Sequence, residues 1–163
     1  MPARVPIKLR PLKKSDRGPI ESILRDTKAF ADHEIAVALE LVDLGEQETP
    51  DGYHFFVAET EDHKVAGYVC YGHTPCTDGT YDLYWIATDP KLHGKGAGQA
   101  LTRAVEEAVK AARGRMVLIE TASKDSYVNT RNFYLRAGYT EVARVPDFYA
   151  AGDDRVIYAK KVS

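Results

Sequence analysis

The order of hydrophobic patterns along these 163 residues predicts a mixed α/β (α+β) fold, a twisted sheet of about seven strands flanked by four helices in the order βααβββαβαββ. Three observations carry this. Early in the chain, Ile20, Ile23 and Leu24, and then Ile35, Ala38, Leu39 and Val42, recur at helical spacing. Short β-rich runs follow at His54 to Glu59, Val65 to Tyr71 and Tyr81 to Thr88. The last of these enters a glycine-rich turn, a long amphipathic helix and another apolar run, and such a crossover makes its two strands parallel.

Taken in order, Val5 to Leu9 alternates as a first strand, and Ser15 or Asp16 can cap the helix after it. Thr27 to Glu34 is a polar joint holding Phe30, and the second helix ends near Gly45. Pro50 to Gly52 breaks the chain ahead of an antiparallel hairpin, His54 to Glu59 and Val65 to Tyr71, turning at Glu61 to Lys64. His73 to Gly79 reads as a loop. In Tyr81 to Thr88, Leu83, Trp85 and Ala87 take one face, and Asp82, Tyr84, Ile86 and Thr88 the other. Leu101, Ala104, Val105, Ala108, Val109 and Ala112 form one helical stripe closed by Gly114, and Met116 to Thr121 is a compact central strand. Asp125 or Ser126 opens a last helix through Ala137, stopped by Gly138. Tyr139 to Val145 and Arg155 to Lys161 are the final strands, joined by a loop over Asp147 to Asp154.

The length fits one domain spanning 1–163, and a net charge of −2 with scattered signs gives no nucleic-acid footprint or polybasic membrane patch. Cys70 and Cys76 make neither a metal spacing nor a disulfide framework, Cys70 reads as a buried small hydrophobe, and a reducing cytoplasm is expected. The histidines show no ligand spacing, so no metal is expected. No apolar run approaches the roughly 18 residues of a membrane span, and the N-terminus lacks a signal-peptide core.

The chemistry concentrates at Thr88-Asp89-Pro90-Lys91-Leu92-His93-Gly94-Lys95-Gly96-Ala97-Gly98-Gln99. Small residues let an anion approach the backbone, and the unpaired N–H groups of a first helical turn point at it. The glycines fit neither a P-loop, which needs two glycines five apart before Lys and Ser/Thr, nor a dinucleotide fingerprint, whose last position falls on Gln99 or Leu101. His93-Gly94-Lys95-Gly96-Ala97-Gly98 resembles the acetyl-CoA pyrophosphate loop of the GNAT superfamily of N-acetyltransferases, Arg/Gln-Gly-x-Gly-x-Gly/Ala, with His93 departing at the first position. That substitution removes no backbone donor. The resemblance runs from about residue 7 to the end.

A second stretch, Thr130-Arg131-Asn132-Phe133-Tyr134-Leu135-Arg136-Ala137-Gly138-Tyr139, resembles the superfamily's second signature, in which a Tyr lies four residues before Gly-Phe/Tyr. Helical spacing would put Tyr127, Thr130, Tyr134 and Ala137 on one stripe. Many relatives carry an Asn seven residues before the Tyr, against the pantetheine arm; here Tyr127 stands there, with Asn129 nearby.

The resemblance implies transfer of acetyl from acetyl-CoA, with CoA as product, directly to a primary amine: a small molecule, an amino acid or a protein amine. Backbone from His93 to Gln99 would hold pyrophosphate. Ile86, Ala87 and Thr88 would hold the thioester and offer an N–H to its oxyanion. Tyr134 resembles the general acid, since a phenol of ordinary pKa near 10 stays protonated at neutral pH. The base that takes the ammonium proton is either Asp82 or Glu120, each a strand carboxylate. Tyr81, Tyr84, Trp85, Phe148 and Tyr149 either line an acceptor pocket or pack the sheet. The rival reading is a non-catalytic acyl-CoA-binding or regulatory module on the same fold. Homodimers are common in the family, and the sequence is silent on assembly.

Overall fold

A computed structural model describes residues 6–45, 52–92 and 96–163. Among them lie seven strands and four α-helices: β1 (Ile7–Arg10), α1 (Arg17–Asp26), α2 (Asp32–Gly45), β2 (His54–Thr60), β3 (Val65–His73), β4 (Thr80–Thr88), α3 (Ala97–Ala111), β5 (Met116–Ala122), α4 (Val128–Arg136), β6 (Thr140–Ala150) and β7 (Asp153–Lys161). The sheet runs β1-β2-β3-β4-β5-β7-β6. The expected order is therefore present, with β4 and β5 parallel from Thr80↔Met116 to Leu83↔Ile119. The chain gathers into two compact units, residues 1–72 with 85–105, and residues 73–84 with 106–163.

In the first unit, α1 is ten residues long, too short to persist in water without tertiary support. Its support is Ile20, Ile23 and Leu24, buried with Ile35, Ala38, Leu39 and Val42 of α2 against Val57, Tyr68, Cys70 and Ala87. Each fully buried aliphatic side chain contributes roughly 1.5–3 kcal/mol, more than the helix loses to Gly18 and Pro19 near its start. Phe30 and Trp85 close this layer with ring centroids 5.2 Å apart. Gly67 in β3 is fixed by contact: a Cβ there would lie 2.8 Å from the Ala87 carbonyl oxygen and 3.2 Å from Leu101. The core is thus packed backbone to backbone where β3 passes β4.

Asp16 does not act as the expected helix cap. Its carboxylate accepts the Lys13 backbone N–H at 2.7 Å and both Nη atoms of Arg10 at 2.8 Å, and Arg10 Nε reaches Glu59 at 2.5 Å. Burial alone would raise the Asp16 carboxyl, yet the Arg10 hydrogen bonds and the Lys13 amide outweigh it and hold it below the ordinary range. The hydrogen bond from His63 and then that from Arg10 hold Glu59 down to about 2.

In the second unit, β5 lies between the first half of β4 and β7, and its residues alternate. Val117, Ile119 and Thr121 are buried; Glu120 is exposed. The β5–β7 register sets Ile119 beside Tyr158 and Glu120 beside Ile157, so the two residues point to opposite faces of the sheet. The structure corrects the expected loop over Asp147 to Asp154. β6 continues to Ala150 and β7 begins at Asp153, because the polar residues satisfy an irregular ladder instead of ending it. The Asp147 N–H donates to Asp154 Oδ1 at 3.0 Å, and the Gly152 N–H to Asp147 Oδ1 at 2.7 Å. β6 slips register twice against β7, between Glu141 and Ala143 and between Val145 and Ala150, and Asp147 has φ 54. All eleven of its residues are exposed.

Candidate functional site

The glycine turn belongs to the first unit. Ile86, Ala87 and Thr88 end β4, with Ala87 buried, and the Asp89 N–H donates to the Ala66 carbonyl at 2.8 Å. A short 3₁₀ turn over Pro90–Leu92 follows, held by the Lys91 N–H on Asp89 Oδ1 at 3.0 Å. His93, Gly94 and Lys95 lie outside the described residues. Gly96 has φ +92 with nothing within 4 Å of a built Cβ, so the chain turns there through a region L residues rarely adopt. The first i→i−4 bond of the helix is Ala100 N–H to the Gly96 carbonyl at 3.0 Å. The N–H groups of Ala97, Gly98 and Gln99 precede it and have no intrahelical acceptor. The first turn carries no acidic residue, so an anion at this helix start meets donors and the positive dipole end unopposed. The residues present therefore fit a pyrophosphate.

The remaining expected residues belong to the second unit. Tyr134 is buried on α4, its ring 6.0 Å from Tyr158 and 6.2 Å from Tyr139. Burial, with Tyr158 beside it, pushes its phenol well above the ordinary value, and its hydroxyl makes no hydrogen bond among the described residues. A tyrosine in that state keeps its proton throughout the neutral range. Tyr127 is buried too, in the 3₁₀ turn Asp125–Tyr127 ahead of α4, with Lys124 Nζ 5.0 Å from its ring centre. It is the N-cap residue of α4, whereas Thr130 and Tyr134 lie within that helix. Asn129 is exposed in the first turn of α4.

Asp82 and Glu120 share one sheet face. Asp82 is level with Leu118, and Glu120 is two residues further along β5, so their Cα atoms are roughly 8 Å apart by strand geometry. Tyr134 packs on Tyr158, on the opposite face. The two carboxylates differ in what they hold. Among the described residues Asp82 accepts only the Thr74 hydroxyl, at 2.7 Å through Oδ2. Glu120 accepts Tyr149 Oη–H at 3.0 Å on Oε1 and Arg155 Nη2–H at 2.7 Å on Oε2. Glu120 is 43% exposed and paired. Phe148 covers the Arg155 guanidinium at 5.1 Å. Burial, and next the Glu120 charge, push the Tyr149 phenol up to about 12, so Tyr149 is the donor in its bond.

Sequence reasoning missed Thr74, Arg155 and Arg131. Arg131 donates from Nη1 to the Ala122 and Lys124 carbonyls at 2.9 and 3.0 Å and ties the start of α4 to the end of β5. Nothing in the local pattern separates it from a solvated helix residue. A cavity of about 630 Å³ in the first unit, lined by Arg10, Asp16, Glu59, His63 and Lys91 among others, contains none of the expected site residues. Arg10, Asp16, Glu59 and His63 within it satisfy one another.

The element order, with a glycine turn and a helix after the fourth strand, is that of an acyltransferase fold. The profile of the Acetyltransferase (GNAT) domain matches residues 51–141, more than half of the sequence, and the chain belongs to the GNAT acetyltransferase family. A crystal structure of a protein from Desulfovibrio desulfuricans assigned to that family superposes with a TM-score of 0.90 at 42% identity, over 97% of this chain and 100% of that one. A Methanocaldococcus jannaschii protein named as an uncharacterized N-acetyltransferase is 31% identical over 108 residues, 66% of this chain and 65% of that protein. The match therefore spans less than two thirds of that relative's length. An aminoglycoside 6'-N-acetyltransferase complexed with coenzyme A has the same fold, with a TM-score of 0.73 at 14% identity, over 96% of this chain and 97% of that one.

Proposed function

We propose that this chain is an acetyl-CoA-dependent N-acetyltransferase that moves the acetyl group directly to a primary amine in a ternary complex. The observation that carries the reading is the α3 start: a strand ends, Gly96 turns at φ +92, and a helix begins whose first N–H groups have no intrahelical acceptor and whose first turn has no acid. When bound, acetyl-CoA supplies an acetyl thioester whose carbonyl carbon an amine attacks, with the C–S bond breaking as C–N forms. The residues from His93 to Gln99 bind the pyrophosphate, and Ile86, Ala87 and Thr88 orient the thioester and offer a backbone N–H to the oxygen as it gains charge. Tyr127 and Asn129 line the pantetheine arm.

Asp82 takes the proton that the attacking ammonium must lose, directly or through one water, because one of its oxygens has no partner among the described residues. Glu120 serves as a positioning residue for Tyr149 and Arg155, since a guanidinium and a phenol already occupy its two oxygens. Tyr134 gives its proton to the departing sulfur, and its buried setting keeps that proton in place until then.

Thermal stability measured separately with acetyl-CoA, CoA, NAD and ATP tests the cradle. A rise selective for the two CoA species and lost in Gly96→Asp is expected; no shift with either removes the reading. Thiol release with an amine panel then separates an enzyme from a non-catalytic acyl-CoA-binding module. Tyr134→Phe should keep CoA binding and lower kcat by about 10²–10³-fold. Asp82→Asn should lower kcat/KM by a similar factor while keeping CoA binding; an unchanged kcat/KM would assign the base elsewhere.

A further inference from the structure

We infer that Arg155 anchors the acceptor, and that the amine this protein acetylates carries a carboxylate. The inference rests on the acetyltransferase reading and names the substrate class. A guanidinium presents five N–H donors in a rigid fork suited to a carboxylate. Arg155 spends one of its nitrogens on the protein: Nη2 donates to Glu120 at 2.7 Å. Its Nε is buried without a partner among the described residues and so is closed to a ligand, whereas Nη1 makes no hydrogen bond among the described residues and is the open end of the fork.

The side chain is 33% exposed, so the open edge of the fork can be reached. It is also held still: Phe148 stacks on the guanidinium at 5.1 Å, Glu120 fixes one end, and Tyr149 fixes the other oxygen of Glu120. An arginine with a fixed plane and open donors has already lost the rotamer freedom that binding would otherwise cost.

Its position supplies the second half. Asp82, Glu120 and Arg155 project from the same face of β4, β5 and β7, because Asp82 is level with Leu118, Leu118 and Glu120 alternate to one side, and Arg155 pairs with Ala122. An amine losing its proton at Asp82 therefore has a cationic fork further along that face, past Glu120. A neutral or purely cationic amine has nothing to give Arg155. A carboxylate has the matching charge and geometry.

Matched acceptors test this: glycine, β-alanine, 4-aminobutyrate and 6-aminohexanoate, each against its primary amide, with the wild type, Arg155→Gln and Arg155→Lys. The wild type should prefer the acid of at least one pair by tenfold or more in kcat/KM, expressed in KM. Arg155→Gln should bring that ratio close to one, and Arg155→Lys should restore part of it. A wild-type ratio near or below one in every pair, or a ratio that Arg155→Gln leaves standing, overturns the anchor.

Binding of the same carboxylates to CoA-saturated protein, followed by NMR, needs no turnover. Equal affinity for wild type and Arg155→Gln overturns the anchor whatever the kinetics show. Failure to bind acetyl-CoA or to acetylate any amine sinks the acetyltransferase reading instead. Melting curves of both variants check that they are folded.

Discussion

Arg10 and Arg155 each meet a glutamate on a neighbouring strand, Glu59 on β2 and Glu120 on β5, yet the surroundings turn these similar pairs to different uses. Arg10 is 11% exposed and uses every nitrogen: Nε on Glu59, Nη1 on Asp16 and the Pro11 carbonyl, Nη2 on Asp16. Arg155 is 33% exposed and uses one. A fully spent arginine can only hold its neighbours together, whereas one with open donors can take a ligand. The difference lies in how many acceptors the fold brings to each, since Asp16 has no counterpart beside Arg155.

The contrast can be broken by removing each arginine. Arg10→Met leaves Asp16 and Glu59 as buried carboxylates without their cation, and should cost about 3–5 kcal/mol in urea unfolding. A loss under about 1 kcal/mol would mean that Arg10 is not structural. Acid should act on the same centre. The Asp16 and Glu59 carboxyls are lowered in the folded state, Glu59 to about 2, so the unfolded chain binds their protons first as pH falls. Their stabilisation is fully present above the unfolded values near 4 and is lost as pH drops toward 2. Unfolding midpoints from pH 6 to pH 2 should trace that window, and Arg10→Met should weaken it.

The smallest stability effect belongs to Arg155→Gln, which should shift unfolding by no more than about 1 kcal/mol, as for an exposed ion pair. A loss as large as that of Arg10→Met would make the two centres alike and remove the contrast.

The order of elements, the parallel crossover and the helix start at Gly96 were legible in the sequence because they depend on local periodicity and on glycine. The two arginine centres were not. Arg10 lies six residues before Asp16 but forty-nine before Glu59, and Arg155 lies thirty-five after Glu120. Periodicity contains no information at those separations. Asp82 and Glu120 were both readable as strand carboxylates, but only the β4–β5 register puts them on one face, and only the hydrogen bonds of Tyr149 and Arg155 distinguish their surroundings. The misjudged loop has a related cause. Asp147, Gly152 and Asp154 have turn composition, and that composition here serves slips within a strand pair.

Those slips bear on how the molecule behaves in a crowded solution. A long, regular strand at a sheet border offers another chain a row of amide groups on which to add itself, the first step of aggregation. β6 occupies that border with Val142, Val145, Phe148 and Tyr149 all exposed. Pro146 contributes no N–H, Asp147 turns the backbone through φ 54, and two register slips interrupt the repeat. A second chain would find no unbroken row to copy, so a strand whose residues are all exposed is also shaped to refuse sheet growth.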